Sequence, residues 1–476
     1  MTEPKQRIVI AGGGLAGALL ALVLANQSFK VTVLEKRGDL RAEKAAGGRS
    51  INLALSERGI RALDKVGLAE KALEQTIPMR GRLIHDTSGN TNFQPYSQNA
   101  GEFIRSISRP GLNRLLLSEA SKNPNIDLIF DAQVESISDD IHYTDNTGTP
   151  QSLPFDILIG ADGAGSVIRK ELGIEALPGY SQDMLAHGYK ELEMPAIDLG
   201  KAFPAVNSAT GTASPSSTAF AMEKEALHIW PRGTYMLIAL PNLDGSFTCT
   251  LFLPLEGQPG FNQLLSPEAV RAFFEEQFPD VLQHLPGLEA EFFANPVGKL
   301  GTIRCPEWSD NKRTLILGDA AHAVVPFFGQ GMNCAFEDVS VFADMLDALR
   351  SPSNSIDRPL SVEWPAFFKE FQSSRIANAN AIADMALENY IEMRDLVADD
   401  AYRLRRQVAL ELEKRYPDRF RPRYSMVSFS TIPYKTVQEI GEKQNRILHE
   451  LCSPVMAFND IDWALAERLV NKLDVL

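Results

Sequence analysis

The sequence predicts an α/β protein built from three parts. These are a discontinuous Rossmann-like nucleotide-binding domain, an antiparallel β-sheet domain inserted into it, and a helical C-terminal region. Three observations carry this prediction. Three short apolar strands lie far apart in the chain, and each runs into a turn containing Gly or Asp. Between the second and third come β-rich stretches separated by turn sequences. From about Trp364 onward the composition shifts to helix formers, with few glycines before the break at Tyr416-Pro417.

The three strands are Ile8–Ala11, Ile157–Ile159 and Leu315–Leu317. Continuous apolar runs of this kind suit parallel strands covered on both faces. Their separation implies that other material is threaded between pieces of one sheet. In the largest insertion, Leu227–Trp230, Tyr235–Leu240 and Phe247–Leu253 read as antiparallel strands. The turns Pro231-Arg232-Gly233 and Asn242-Leu243-Asp244-Gly245 separate them. Ser351–Pro359 reads as a loop or linker. The expected division is 1–180 with 296–350 for the nucleotide-binding domain and 181–295 for the inserted substrate domain. Part of 75–110 is expected to join the substrate side, and 360–476 to form the helical region.

The first strand carries the most specific local signal. Gly12-x-Gly14-x-x-Gly17 follows it directly and opens an apolar helix, Leu15–Ala25. Such glycines allow a tight turn and let backbone N–H groups approach a pyrophosphate at the positive end of the helix. Ala16 lies inside this turn. A second strand, Val31–Leu34, ends at Glu35, near the distance at which a carboxylate holds ribose hydroxyls. This unit alone does not separate NAD from FAD.

Two further motifs address that choice. Gly160-Ala161-Asp162-Gly163 follows the second strand, with Arg169 soon after. Gly318-Asp319-Ala320-Ala321-His322 follows the third and leads through Pro326 to Gly329-Gln330-Gly331, with a helix starting near Met332-Asn333. An aspartate at the end of a parallel strand is placed to hold a ligand hydroxyl. Free helix N–H groups can face the electron-rich edge of a flavin. Either aspartate alone can equally close a turn; three motifs in this order are hard to explain by turns.

Composition removes several function classes. A formal charge of -14 over 476 residues disfavours nucleic acid. Hydrophobic residues at 44% and charged residues at 23% match a folded globular chain large enough for more than one core. Cys249, Cys305, Cys334 and Cys452 show no Cys-x-x-Cys pairing, and the seven histidines are dispersed. The expectation is a reduced cytoplasmic chain without disulfides or a metal site. No signal peptide or transmembrane anchor is expected.

With these motifs in place, the chain resembles the flavin aromatic hydroxylases of the para-hydroxybenzoate hydroxylase fold, and within them the kynurenine 3-monooxygenase family. The resemblance rests on Gly48–Gly59, Met79–Arg82, Ser106–Arg109, His187–Leu192, Leu227–Pro231, Val325–Asn333, Glu388–Met393 and Arg423–Val427. It spans the chain to about Tyr434. Eukaryotic members carry a C-terminal membrane-anchoring segment. Here Thr436–Leu476 is punctuated by Glu439, Glu442, Lys443, Arg446, Asp460 and Asp462, and so resembles the soluble bacterial-type members.

The resemblance implies bound FAD, with NADPH and O2 as cosubstrates. It implies conversion of L-kynurenine to 3-hydroxykynurenine through a flavin C4a-hydroperoxide, in tryptophan degradation and NAD biosynthesis. It further implies FAD contacts at Ala16, Leu34, Glu35, Arg37, Ala54, Arg109, Val134, Asp319, Met332 and Asn333, beside Gly12, Gly14 and Gly17. For the substrate it implies Arg82 and Tyr96 on the kynurenine carboxylate, with Asn389 and Tyr424 as further polar contacts. The flavin carries the chemistry, so no catalytic side chain is expected. The protein's tasks are to place the ring and exclude water.

Each substrate residue has a plainer reading. Arg82 can be a surface ion-pair arginine, and Tyr96 and Tyr424 can be core tyrosines. Met385, Asn389 and Met393 share a helix face, where an amide is either a pocket wall or a core polar group with a partner. Pro326-Phe327-Phe328 roofs a dry cavity or fills a core. His322 and Cys334 are read as packing residues. One nucleotide fingerprint, filled by FAD, leaves NADPH to bind without a fold of its own, and no residue reads its 2′-phosphate. A homodimer is the candidate assembly. Competing readings are a same-fold hydroxylase acting on another aromatic acid and a non-catalytic flavin-binding scaffold.

Overall fold

The computed structural model describes residues 6–42, 52–199, 218–350, 360–396 and 399–476. Of the segments singled out above, Gly48–Ile51 and Ser351–Pro359 lie outside the described residues.

The three apolar strands lie side by side in one parallel sheet. Its order is Thr314–Ile316, Ile157–Gly160, Arg7–Ala11, Lys30–Leu34 and Ile126–Ile129. Register places Val9 opposite both Leu158 and Thr32. Helices cover the sheet, which explains why its strands are apolar on both faces. Helix Leu15–Asn26 is buried continuously from Gly17 to Ala25. It is apolar all round because it packs against the sheet and against helices Arg109–Ala120 and Gly331–Leu349.

A seven-stranded sheet forms the second body. Its order is Gly298–Arg304, Ser181–Met194, Phe247–Pro254, Met236–Pro241, Ala226–Pro231, Gly81–His85 and Thr91–Pro95. Neighbours are antiparallel except Ala226–Pro231 beside Gly81–His85, which are parallel. The early segment 81–95 is thus part of this sheet. Gly298–Arg304, expected with the nucleotide-binding part beginning at 296, forms its edge by pairing with Ser181–Met194.

Alternation along these strands builds two cores. Leu227 and Ile229 face one that holds Phe252, Phe327, Phe328 and Met385. Trp230 faces the other, with Phe274 and Phe278 from the overlying helices. The sheet is buried on both sides, so its strands also read as continuous apolar runs.

Helices Trp364–Ile391, Asp400–Arg415, Arg423–Ser428, Tyr434–Cys452 and Trp463–Val470 make up the C-terminal part. It has a core of its own, centred on Leu404, Val408, Leu412, Phe420, Ile447 and Leu451. The long helix Trp364–Ile391 reaches the first core of the seven-stranded sheet through Ile382, Met385 and Ala386. No described helix is long and apolar enough to cross a membrane.

Candidate functional site

A cavity of about 900 Å³ runs between the two sheets, near the upper end of the range for small-molecule sites. One end lies at Gly12 and Gly14, and the other at Arg82, Tyr96 and Tyr424.

The first end is built mainly from backbone. Gly12 adopts φ +105°, and a Cβ there would fall 2.3 Å from the Ala161 carbonyl oxygen. Gly17 makes the helix–strand contact: a Cβ on it would lie 2.0 Å from the Gly12 oxygen. It is buried and does not line the cavity. At Gly14 an added Cβ would meet nothing within 4 Å, so the backbone there is open. It precedes Leu15–Asn26 without a side-chain cap and with no acidic residue in the first turn, leaving the helix N–H groups available.

Glu35 is buried. Its Oε2 accepts the Gly13 N–H (2.8 Å), and its Oε1 accepts from the Arg37 backbone and Nε (3.0 and 2.8 Å). Burial raises its pKa, but Arg37 outweighs that and holds the carboxyl below its ordinary value. Ala16, Leu34, Glu35, Arg37, Ala54 and Val134 all line this part of the cavity. Arg109 does too; it is exposed, and its guanidinium has no ion pair among the described residues.

The two aspartates differ. Asp162 closes a turn: its carboxylate accepts from Ser166 Oγ (2.5 Å) and from the Val167 and Ile168 N–H groups. Asp319 lines the cavity, is exposed to it, and has no hydrogen bond from its carboxylate among the described residues. Arg169 ties the two motif loops together by donating to the carbonyls of Ala164 and Ala320 (2.8 and 3.0 Å).

Behind Asp319, Asp338 accepts the Gly318 N–H (2.9 Å), His322 Nε2 (2.5 Å) and Arg375 Nε (2.8 Å). Gly318 has φ +58°, so this carboxylate fixes a strained turn from within the core. Burial pushes the Asp338 pKa up, but His322 and Arg375 overcome it and hold it low. His322, Cys334 and Asp338 approach one another within ligand distance. The Arg375 guanidinium adjoins Asp338 and Cys334, and the Asp338 oxygens are taken by N–H donors. That arrangement suits a packed ion-pair cluster.

Helix Gly331–Leu349 points its N-terminus at the cavity, uncapped by any side chain, with Gly331 and Met332 on the wall. Asn333 is fully buried beneath them. Its Nδ2 donates to the Ala54 and Gly329 carbonyls (2.7 and 2.8 Å), and its Oδ1 accepts the Ser56 N–H (3.0 Å). It latches strand Asn52–Leu55 to the Gly329-Gln330-Gly331 turn and does not reach the cavity.

This end fits FAD on its own chemistry. It has a glycine cradle with a free helix N-terminus for the pyrophosphate, an open Asp319 acceptor for a polyol chain, and a second helix N-terminus for the electron-rich flavin edge.

The opposite end is made of side chains. Arg82 projects from strand Gly81–His85 and is 2% exposed. Its Nη1 pairs with Glu392 Oε1 at 3.1 Å, its Nη2 lies 3.5 Å from Asn389 Oδ1, and its Nε has no partner among the described residues. The rings of Tyr96 and Tyr424 stack 4.8 Å apart, and the guanidinium carbon lies 5.8 and 5.1 Å from their centroids. The Tyr96 hydroxyl is buried beside Tyr424 and the Arg82 guanidinium, with no well-formed hydrogen bond among the described residues. Burial opposes the charge on Arg82, yet Tyr402 and Glu392 hold its pKa above the ordinary value. Tyr96 and Tyr424 are also shifted up, chiefly by burial, and so keep their protons at neutral pH. A buried guanidinium N–H and a buried phenol O–H without acceptors, side by side on a cavity wall, form a site for an anionic ligand group.

Asn389 is placed differently from these three. Its Nδ2 donates to the Phe327 carbonyl (2.6 Å), and it does not line the cavity. It supports the Pro326–Phe328 turn while its oxygen faces Arg82. Phe327 and Phe328 are both buried and on the wall, stacked on Tyr390 (4.0 Å) and Tyr424 (5.3 Å). Core and roof are therefore the same residues. Leu227, Ile238, Leu240 and Phe252 complete an apolar wall between the two ends.

Two residues here were not singled out from sequence. Glu392 and Tyr402 are hydrogen bonded to each other at 2.6 Å, and Glu392 pairs with Arg82. The available signal was a carboxylate between the apolar residues Ile391 and Met393, at a helix end.

Comparison with known proteins gives consistent results. A family model described as "FAD binding domain" matches residues 5–226 and 281–351, a discontinuous span. The chain is 41% identical over 474 residues to a kynurenine 3-monooxygenase of Myxococcus xanthus, covering 98% of this chain and 95% of that protein. It is 39% identical over 468 residues to the kynurenine 3-monooxygenase of Dictyostelium discoideum, covering 98% and 97%. Among solved structures, P. aeruginosa PqsL in complex with 2-aminobenzoylacetate superposes with a TM-score of 0.61 at 18% identity, covering 82% of this chain and 97% of that one. A 2-methyl-3-hydroxypyridine-5-carboxylic acid oxygenase does so at 0.60 and 19%, covering 84% and 96%. At these identities the two structures speak for the fold.

Proposed function

Because the chain belongs to the kynurenine 3-monooxygenase family, an FAD-dependent family, we propose that its long cavity is the catalytic site and that Arg82 and Tyr96 hold the carboxylate of the substrate. The enzyme hydroxylates L-kynurenine at the ring, consuming NADPH and O2. The observation that carries the site assignment is the pair of orphaned buried donors, Arg82 Nε and Tyr96 Oη, at the far end of a cavity that begins in a nucleotide cradle.

Bound FAD, reduced by NADPH, supplies the activation of O2. The chain would hold that cofactor through Gly12, Gly14 and Ala16 at the pyrophosphate, Glu35 and Arg37 at the ribose, and Asp319 at the ribityl chain. The helix N-terminus at Gly331-Met332 would face the flavin edge. Gly17 and Asn333 serve the same site from behind, through packing and backbone latching. Leu34, Ala54, Arg109 and Val134 line its path.

At the substrate end, Arg82 offers Nε and Tyr96 its hydroxyl to the carboxylate, a charge-assisted grip of about 1.5–3 kcal/mol. Tyr424 stacks on Tyr96 and fixes the guanidinium plane, while Asn389 braces Arg82 and the Phe327 carbonyl. Leu227, Ile238, Leu240, Phe252 and Phe327 then hold the aniline ring and exclude water. The ring needs no protein nucleophile, since its own amino group enriches the carbon beside it.

The division proposed for the chain follows these roles, with part of segment 75–110 serving the substrate side through Arg82 and Tyr96, and with Gly298–Arg304 joining the inserted sheet. A cytoplasmic location is proposed as well, in keeping with four buried cysteines that form no disulfide. The test is to add L-kynurenine to the flavin-loaded protein and follow NADPH oxidation together with 3-hydroxykynurenine. Stoichiometric formation of the product is expected. NADPH loss with only H2O2 formed, or turnover confined to another aromatic acid, overturns the reading.

A further inference from the structure

We propose that Asn52 is a positioning residue: it latches the flavin-side strand to the hairpin that walls the aniline ring, and so sets the gap between ring and flavin. This rests on the reading that Ile238, Leu240 and Phe252 hold that ring beside bound FAD.

The cavity lies between separate sheets, so neither sheet alone fixes its width. Strand Asn52–Leu55 belongs to a small sheet with Ile104–Ser108 and Thr76–Met79. It puts Leu53 and Ala54 on the cavity wall, and Asn333 holds it to the Gly329-Gln330-Gly331 turn. The facing hairpin pairs Met236–Pro241 with Phe247–Pro254 and puts Ile238, Leu240, Thr248 and Phe252 on the wall. The Asn52 amide joins the two. Its Nδ2 lies 3.0 Å from the Pro241 carbonyl oxygen, 2.7 Å from Asn242 Oδ1 and 3.1 Å from Ser106 Oγ. Ser106, 2% exposed, donates its hydroxyl to the same Pro241 carbonyl at 2.8 Å. Pro241 follows Leu240 directly, so the join is one residue from the apolar wall.

The join also has a direction. Asn242 Nδ2 donates to Ser246 Oγ and Thr248 Oγ1 (2.9 and 3.2 Å), and Ser246 Oγ donates to Asp244 Oδ1 (2.7 Å). The Asn242 N–H groups are engaged inside the hairpin, which turns its oxygen toward Asn52. The Pro241 carbonyl can only accept. Position 52 must therefore donate, and an aspartate of the same size has no N–H to give. The inserted sheet also meets the flavin body through main chain, where the Ile303 N–H donates to the Ala323 carbonyl at 2.8 Å. No side-chain change removes that contact, so loss of the Asn52 amide should let the hairpin shift without parting the two bodies. Hydroxylation needs the reacting atoms close together, and a misplacement of about 1 Å can cost about a hundredfold in rate.

The experiment compares Asn52→Asp, Asn52→Ala, Ser106→Ala and Asn242→Ala as flavin-loaded enzymes, measuring 3-hydroxykynurenine and H2O2 formed per NADPH consumed. Ser106 and Asn242 do not line the cavity, so their variants loosen the latch without touching a ligand. The ratio of H2O2 to 3-hydroxykynurenine should rise on the order of tenfold in Asn242→Ala and Ser106→Ala, and further in both Asn52 variants. FAD content, and kynurenine affinity read from the flavin absorbance, should stay at wild-type values. A second readout is denaturant unfolding at saturating FAD. Asn52→Ala and Asn242→Ala combined should lose less stability than the two single losses added, as side chains in contact do. Uncoupling confined to the Asn52 variants would mean that Asn52 acts by touching a ligand, and overturns the proposal. Additive stability losses, or wild-type coupling in all four variants, overturn it as well. If Asn52→Ala does not fold, Ser106→Ala and Asn242→Ala decide the question alone. Failure of the underlying reading looks different: the wild type itself would form no 3-hydroxykynurenine, and both readings would fall together.

Discussion

The flavin end and the substrate end of the cavity are built from different kinds of atoms. At the flavin end the ligand would meet backbone: the open chain at Gly14, two uncapped helix N-termini, and a turn fixed by Asp338 through the Gly318 N–H. At the substrate end it would meet side chains from strand Gly81–His85, from Tyr96, from the π turn at Glu392 and from helix Arg423–Ser428. Backbone sites demand particular residues at fixed spacing, because only certain sequences make the turn. Side-chain sites demand only that distant residues meet, and many sequences around them allow it. The two ends should therefore fail in different ways.

The largest effect is expected at the flavin end. Gly12→Ala would force a Cβ to within 2.3 Å of the Ala161 oxygen at φ +105°, a backbone conformation hostile to side chains. Strain and clash together should cost about 3 kcal/mol or more. The purified variant should carry little FAD and show no turnover; normal flavin absorbance would break the account of the cradle. Arg82→Met comes next and should act on the substrate alone. Losing a charge-assisted grip of about 1.5–3 kcal/mol should lower kcat/KM for kynurenine roughly 10- to 10²-fold with FAD fully bound. Loss of flavin in this variant would erase the distinction between the two ends. Asp319→Ala is milder. Its carboxylate makes no hydrogen bond or ion pair among the described residues, so the melting temperature without FAD should hold while FAD affinity drops about tenfold.

This contrast also explains what could be read from the sequence. The parallel strands, the glycine turn and the helix at Met332 were legible because backbone geometry restricts the residues that make them. Asp162 and Asp319 were not distinguishable in sequence, since each follows a glycine turn after an apolar strand. Only the fold shows that Ser166 and two N–H groups consume Asp162 while Asp319 stays open. Asn333 and Asn389 were expected beside ligands, and the structure places both under the wall, each donating to a backbone carbonyl. Their contribution passes through Ala54 and Phe327. Glu392 was passed over because a carboxylate at a helix end is ordinarily solvated. Its meaning comes from Arg82, 310 positions earlier in the chain.

The smallest functional effect is expected from Glu413, on the helix that also carries Tyr402 to the substrate end. The residue is 7% exposed, and its Oε2 has no hydrogen-bond partner among the described residues. Burial first, and then the charge of Glu102, push its pKa up from 4.5 to about 7, against the opposing pull of Arg421. A raised carboxyl contributes stability that is fully present below its unfolded value near 4.5 and is lost as pH climbs through about 7. At pH 8 the folded protein bears an ionised carboxylate that burial disfavours, worth up to about 3 kcal/mol. Glu413→Gln should remove that loss, so denaturant unfolding would show the variant more stable than the parent at pH 8 and nearly equal at pH 4.5. FAD affinity and the KM for kynurenine should not move, because Glu413 touches neither end of the cavity. A shifted KM would mean that the helix transmits its charge to Glu392 through Tyr402, and the substrate end could no longer be treated as a local arrangement of side chains.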